Sequence, residues 1–206
     1  MQFSFIVRNG FLRSAAYDRP AHIGLRIAGG RMYRFALFLI TALALPATAA
    51  EVTSVETLDI TRYAGQWHEV ARLPMFFQRK CAGEVTAQYT LGDDGLVGVR
   101  NSCRTEDGET VVVDGVARRD AEHAGRLEVR FAPDWLSWLP LTWADYWVIA
   151  LDPNYQWAIV GEPGREYLWI LSRTPEMSRE QLDQLKARAV AMGYDLDELI
   201  VSMPLR

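Results

Sequence analysis

The sequence predicts an all-β fold, an eight-stranded antiparallel up-and-down barrel with a C-terminal α-helix packed outside it. Three observations predict this. From Gly65 to Ser172 eight short β-prone runs follow one another with no helix-period segment among them. The connections are short and built from hairpin residue types, so each strand is expected to pair with the next. One amphipathic helical pattern follows the last run. Eight consecutive strands is the count of a small closed barrel.

The runs are Gly65–Arg72, Glu84–Leu91, Leu96–Cys103, Thr110–Arg118, Arg126–Phe131, Asp145–Leu151, Tyr155–Gly161 and Glu166–Leu171. Gly92-Asp93-Asp94-Gly95, Asp152-Pro153-Asn154 and Glu162-Pro163-Gly164-Arg165 supply the tight turns. Thr174-Pro175 stops the eighth run, and Ser178-Arg179-Glu180-Gln181 reads as a capping box in which Ser178 caps and Gln181 reaches back. Leu182, Leu185, Ala189 and Met192 then recur at helical spacing until Gly193 closes the helix.

Residues 1–50 read as a leader ahead of a single domain over 51–206. Met32 is the expected true start: Arg34, the apolar run Phe35–Leu45 and the small end Ala47-Thr48-Ala49 have the layout of a secretory signal peptide. The apolar run is short for a membrane span. The leader carries six arginines and one aspartate, so the rest of the chain keeps 16 basic against 25 acidic residues, a net of −9. Such a domain is a poor partner for nucleic acid, whose phosphates demand clustered Lys and Arg.

The two cysteines, Cys81 and Cys103, lie in the exported part, where pairing is permitted. A hairpin about Gly92–Gly95 brings Cys81 close to opposite Cys103, with a register offset that a bulge would absorb. A disulfide is therefore expected, the alternative being two unrelated buried thiols.

The segments Tyr63-Ala64-Gly65-Gln66-Trp67-His68-Glu69-Val70-Ala71-Arg72, Asp145-Tyr146-Trp147-Val148-Ile149-Ala150-Leu151-Asp152 and Tyr167-Leu168-Trp169-Ile170-Leu171-Ser172-Arg173-Thr174-Pro175 closely resemble the three signature regions of the lipocalins. The chain is most similar to the bacterial outer-membrane lipocalins and their apolipoprotein-D-like relatives, from Leu58 to about Ile200. The resemblance implies the lipocalin (calycin) barrel, with Gly65, Trp67 and Arg173 as structural signature and the Arg173 guanidinium across the Trp67 indole at the closed end. No cysteine directly follows the apolar run where the anchored members carry their lipobox cysteine. The product is thus expected to be exported by its signal peptide and to be periplasmic or peripherally associated with the outer membrane, not lipid-anchored.

Side chains alternate across a strand, so one fixed residue orients its strand. With Trp67 inward, Glu69 and Ala71 are expected inward and His68, Val70 and Arg72 outward. Counting back from Arg173 places Leu171, Trp169 and Tyr167 inside. By family resemblance Tyr146, Val148 and Ala150 line the sixth strand, and Ala87 and Tyr89 the second. Polarity adds Val97, Val99 and Asn101 on the third strand and Leu127, Val129 and Phe131 on the fifth. These residues define an aromatic and aliphatic chamber suited to an apolar ligand. An interior filled by side chains is the competing expectation, against which stand the small inward residues Ala71, Ala87, Gly115 and Ala117. Glu69 needs a partner in such a chamber: a hydroxyl of Tyr146 or Tyr89, or a ligand headgroup.

Of the chain's seven tryptophans, Trp135, Trp138, Trp143 and Trp147 fall between Phe131 and Trp147. Alternate loops share an end, which places Leu73–Gly83 and Ala132–Ala144 at the open mouth and makes Trp135, Trp138 and Trp143 its rim. Trp147 faces outward from the next strand. The rim, with Phe76, Phe77, Arg79 and Lys80, is a candidate contact for a membrane surface.

The expected function is non-catalytic binding, storage or transport of a small lipid, a fatty acid or lysophospholipid, in the bacterial cell envelope. Two alternatives stand beside it: a lipid- or isoprenoid-modifying enzyme in the same barrel, and a ligand-free stress-protective envelope protein. No catalytic residue is assigned, since no Gly-x-Ser-x-Gly occurs and Glu69 with Tyr146 is the sole pairing worth testing. No cofactor and no metal site is expected, because His68 and His123 are far apart in this topology. Pairing of two chains through the Trp-rich rim is left open.

Overall fold

The structure, a computed structural model, describes residues 50–131 and 143–206. All of the expected leader except Ala50 lies outside the described residues, as do Trp135 and Trp138. The described strands are β1 (Gly65–Arg72), β2 (Gly83–Leu91), β3 (Val97–Arg104), β4 (Thr110–Arg119), β5 (Arg126–Arg130), β6 (Ala144–Leu151), β7 (Trp157–Gly161), β8 (Leu168–Ser172) and β9 (Ile200–Val201). A one-turn helix α1 (Ile60–Tyr63) precedes β1, a 3-10 turn (Phe76–Gln78) follows it, and helix α2 (Arg179–Ala191) follows β8.

Every strand from β1 to β8 pairs antiparallel with the next, and β8 pairs back onto β1, so the sheet closes into an eight-stranded barrel. The short β9 adds to the stretch of β1 that β2 leaves free, through Ala71↔Val201 and Arg72↔Ile200. Ser178 caps α2 by accepting from the Gln181 amide at 3.2 Å. Leu182, Leu185 and Ala189 are buried from that helix against the outer barrel wall, beside Val70, Ile159, Leu168 and Ile170.

Strands β7 and β8 start later than expected because their turns use the preceding residues. Asp152 accepts from the amides of Asn154 and Gln156, and Tyr155 has φ +60°, which ends the turn only at Gln156. Glu162 likewise binds the amides of Gly164, Glu166 and Tyr167. Strand β5 ends at Arg130, one residue short of Phe131.

Two β-bulges overturn part of the inward and outward assignment. In β1 the register slips between Glu69↔Leu171 and Ala71↔Ile170, and in β6 between Val148↔Val160 and Ala150↔Ile159. A bulge puts two residues opposite one and reverses the alternation beyond it. Ala71 and Ala150, expected inside, therefore join the cluster under α2, while Leu151 packs against the interior. Arg72, expected outside, pairs with Trp169 and turns inward.

A third irregularity lies between Gly83 and Thr86, where Glu84 has φ +51°. It takes up the register offset between the cysteines, and Cys81 and Cys103 form a disulfide with Cα atoms 5.5 Å apart.

Candidate functional site

The floor of the barrel is built around Trp67. Its Nε1 donates to the Tyr63 carbonyl at 2.8 Å, and the Arg173 guanidinium lies 3.9 Å from its ring centroid. Arg173 also donates to the carbonyls of Gln66 (2.8 Å), Arg62 (2.7 Å), Tyr63 (3.1 Å) and Ala64 (3.0 Å). The last three are acceptors at the end of α1, so one cation both stacks on the plug and caps the helix that leads into it. Gly65 has φ +94°, and a Cβ there would stand 3.3 Å from Arg173 Nη1, which accounts for the glycine of the signature.

Above the plug three phenols meet. The Tyr146 hydroxyl lies 2.8 Å from that of Tyr63 and 2.7 Å from that of Tyr89, and all three rings are buried. Burial holds Tyr63 and Tyr146 well above the usual phenol range and pushes Tyr89 up to about 12. Sequence reasoning missed Tyr63 because it sits in α1, ahead of the first strand; the signal was Asp59, which caps that turn by accepting from Thr61 and Arg62 amides.

The expected lining residues divide by depth. Tyr89, Val97, Val99, Leu127, Tyr146, Val148 and Leu171 are buried together with Trp67, Ala117, Ala158 and Val160. Ala87, Val129 and Trp169 pack against that layer while remaining partly exposed, and Asn101 and Tyr167 are half-buried. The lower barrel is therefore filled, as the competing expectation held, whereas the inward residues nearer the mouth keep contact with solvent. The Asn101 Oδ1 is sealed without a partner. Gly115 leaves no void: a Cβ there would strike the Phe131 ring at 2.6 Å, so Phe131 folds over it at the edge of the lumen.

Glu69 meets neither Tyr146 nor Tyr89. Its Oε1 accepts from Arg72 Nη1 at 2.7 Å and from the Ser202 hydroxyl, and its Oε2 from Gln78 Nε2 at 2.9 Å. Both oxygens are engaged, so Glu69 is a structural carboxylate and not a free ligand contact. The β1 bulge makes this arrangement by bringing Arg72 onto the same face three residues later. Gln78 in turn accepts from Trp169 Nε1 at 3.2 Å, tying the loop after β1 to the lumen wall.

Phe77 packs 6.0 Å from Tyr167, which stacks on Trp169 at 6.3 Å. The loops after β1 and β7 thus share the mouth. Phe76 and Phe77 are 69% and 55% exposed there, beside exposed Arg79 and Lys80. Trp143 directly precedes β6 at the mouth end, with its ring turned to the outer wall: Arg118 and Arg130 lie 4.3 and 5.0 Å from it, and Arg118 pairs with Glu128 on the exposed side. Trp147 faces outward as expected, under Arg126 at 4.1 Å. A cavity of about 380 Å³ lies where β1 parts from β2, lined by His68, Glu69, Thr86, Ser102, Ser202 and Met203 among others. Its lining is hydroxyl-rich and lacks the aromatic walls of the lumen. Among the described residues no group of three or more His, Cys, Asp or Glu side chains is placed to hold a metal ion.

A family model described as a lipocalin-like domain matches residues 58–204. The chain is a lipocalin. It is 40% identical over 152 residues to temperature-induced lipocalin-1 of Arabidopsis thaliana, covering 72% of this chain and 81% of that protein. It is 38% identical over 167 residues to the outer membrane lipoprotein Blc of Citrobacter freundii, covering 80% and 90%. Insecticyanin of the tobacco hornworm Manduca sexta shares the fold with a TM-score of 0.56 at 20% identity, over 77% of this lipocalin and 87% of that chain. The bacterial relatives correct the expectation of a periplasmic product without a lipid anchor, since they are outer membrane lipoproteins by name. Binding or transport of a small molecule in the barrel, without catalysis, is the activity that this lipocalin's membership carries.

Proposed function

We propose that this lipocalin binds and carries a small lipid, a fatty acid or lysophospholipid, at the bacterial outer membrane. The observation that supports it is the depth profile of the lumen, a sealed phenolic floor beneath a mouthward wall in which Tyr167, Trp169 and Val129 keep partial solvent exposure. An acyl chain passing that wall buries about ten methylenes at about 0.8 kcal/mol each, and association costs reduce this to about micromolar binding. That strength suits cargo that must be released. Mass spectrometry of material co-purifying with the protein tests the reading. An intact monoacyl lipid is the expected result; a chemically converted lipid would point to an enzyme instead, and purification with no lipid at any loading would set the carrier aside.

Exposed Phe76 and Phe77 beside Arg79 and Lys80 favour docking of the mouth on a phosphate-bearing membrane surface, which would shorten the path of the cargo. Co-sedimentation with anionic liposomes is expected to drop several-fold in the Phe76→Ser, Phe77→Ser double variant. Unchanged sedimentation would remove the docking step.

A further inference from the structure

The β1 bulge turns Arg72 onto the same side of the sheet as its register partner Trp169, where the arginine is 5% exposed. Its Nη1 donates to Glu69 Oε1 at 2.7 Å and to the Ser202 hydroxyl at 2.9 Å. The other side of the guanidinium has no such partner. Nε is sealed from solvent without an acceptor, and no acceptor among the described residues meets Nη2. Nε and Nη2 form the edge with which an arginine grips two oxygens at once. Arg100 shows that grip elsewhere on the barrel, its Nε and Nη2 reaching the two Asp114 oxygens at 2.6 and 3.0 Å. Arginine cannot lose its proton to escape burial, so a sealed, unanswered N–H is costly unless a ligand supplies the acceptor.

We propose that the Nε–Nη2 edge of Arg72 is the headgroup site of the carrier and takes two oxygens of a lipid acid. The inference rests on the reading that a lipid occupies the lumen. Glu69 already receives three donors, from Arg72, Gln78 and Ser202, and its part is to hold the guanidinium so that the side edge keeps a fixed direction. Trp169 is the register partner of Arg72, and its ring lies 6.3 Å from Tyr167 and 6.5 Å from Tyr146. An acid held at Arg72 therefore lays its methylenes along these aromatic faces, with the tail staying on the mouthward wall above the filled floor. A fatty-acid carboxylate and the phosphate of a lysophospholipid both offer the required pair of oxygens.

The test measures Kd by displacement of a fluorescent probe for palmitate, lysophosphatidylcholine and two uncharged chain-matched lipids, hexadecanol and monopalmitoylglycerol. Wild type is expected to favour one or both acids over their uncharged counterparts by about tenfold; palmitate alone identifies a carboxylate site, lysophosphatidylcholine alone a phosphate site. Arg72→Lys keeps a cation for Glu69 but lacks the side edge, and it should abolish the preference, so that palmitate binds no more tightly than hexadecanol. Should that variant fail to show a cooperative melt, Glu69→Gln with Arg72→Met removes both charges together and serves the same comparison. A preference that persists in a folded variant, or equal binding of acids and uncharged lipids by wild type, overturns the headgroup site and leaves the carrier standing. Wild type that binds none of the four overturns both.

Discussion

Three hydroxyls at the floor share two hydrogen bonds, with Tyr146 in the middle of both. Tyr146→Phe leaves the hydroxyls of Tyr63 and Tyr89 buried and unanswered, which should cost about 2–4 kcal/mol, whereas Tyr63→Phe removes one bond and should cost about 1 kcal/mol. Urea denaturation of the two variants measures the difference, and equal losses would contradict the central place of Tyr146. The same cluster sets an alkaline limit. A phenol whose folded pKa is raised contributes stability that is complete below its unfolded value, about pH 10, and is lost as pH rises above it. With Tyr89 pushed up to about 12 and the other two held well above the usual range, stability should decline from about pH 10 upward. Tyrosinate absorbance from these three rings is expected to appear only with unfolding. At the other side of the floor, Arg173→Ala should cost about 1–3 kcal/mol through the lost indole stack and the carbonyls of α1 left without their donor. Trp67, Arg173, Tyr89 and Tyr146 were legible from sequence because each lies within a signature segment or a regular strand. Arg72 was not, since its direction depends on a bulge whose only sequence trace is an unremarkable Val70-Ala71.

The loop after β1 is the element on which the mouth depends. Its start is pinned by buried Leu73 and Met75, its middle by the Gln78 bonds to Glu69 and Trp169, and its end by the Cys81–Cys103 disulfide. That disulfide has a sequence separation of 22, and closing a loop of this size is worth about 3 kcal/mol. Denaturation with and without reductant should show a loss of that order, together with faster proteolysis between Phe76 and Lys80; a protein indifferent to reductant would contradict the role of the bond. Alternation was a sound guide along β2 and β3, where pairing runs without interruption past the inward residues, and along β8, where the extra residue of the bulge lies in the facing strand β1. It failed in β1 and β6, where one extra residue reverses every side chain beyond the bulge. Helix α2 was readable because Ser178 and the Leu182, Leu185, Ala189 spacing act locally, while β9 was not, because two residues of β-branched character are too few to signal a strand.

At the scale of the molecule, a closed barrel follows from eight runs and tight turns, and the fill of that barrel does not. Which inward residues touch one another and which leave room depends on barrel tilt and on long-range neighbours such as Phe131 over Gly115 and Tyr63 under Tyr146. The outcome is a cup filled from below, with the partly exposed inward residues Tyr167, Trp169 and Val129 as its wall near the mouth. Trp169 stands in that wall, between Tyr167 and Tyr146 and tied to the mouth loop through Gln78. The most direct measurement is quenching of tryptophan fluorescence by a fatty acid brominated along its chain. Saturable quenching that is largely lost in a folded Trp169→Phe variant, which still binds the unlabelled acid, is the result expected of a chain lying on this wall. Binding with quenching that Trp169→Phe leaves intact would place the ligand elsewhere and contradict the account.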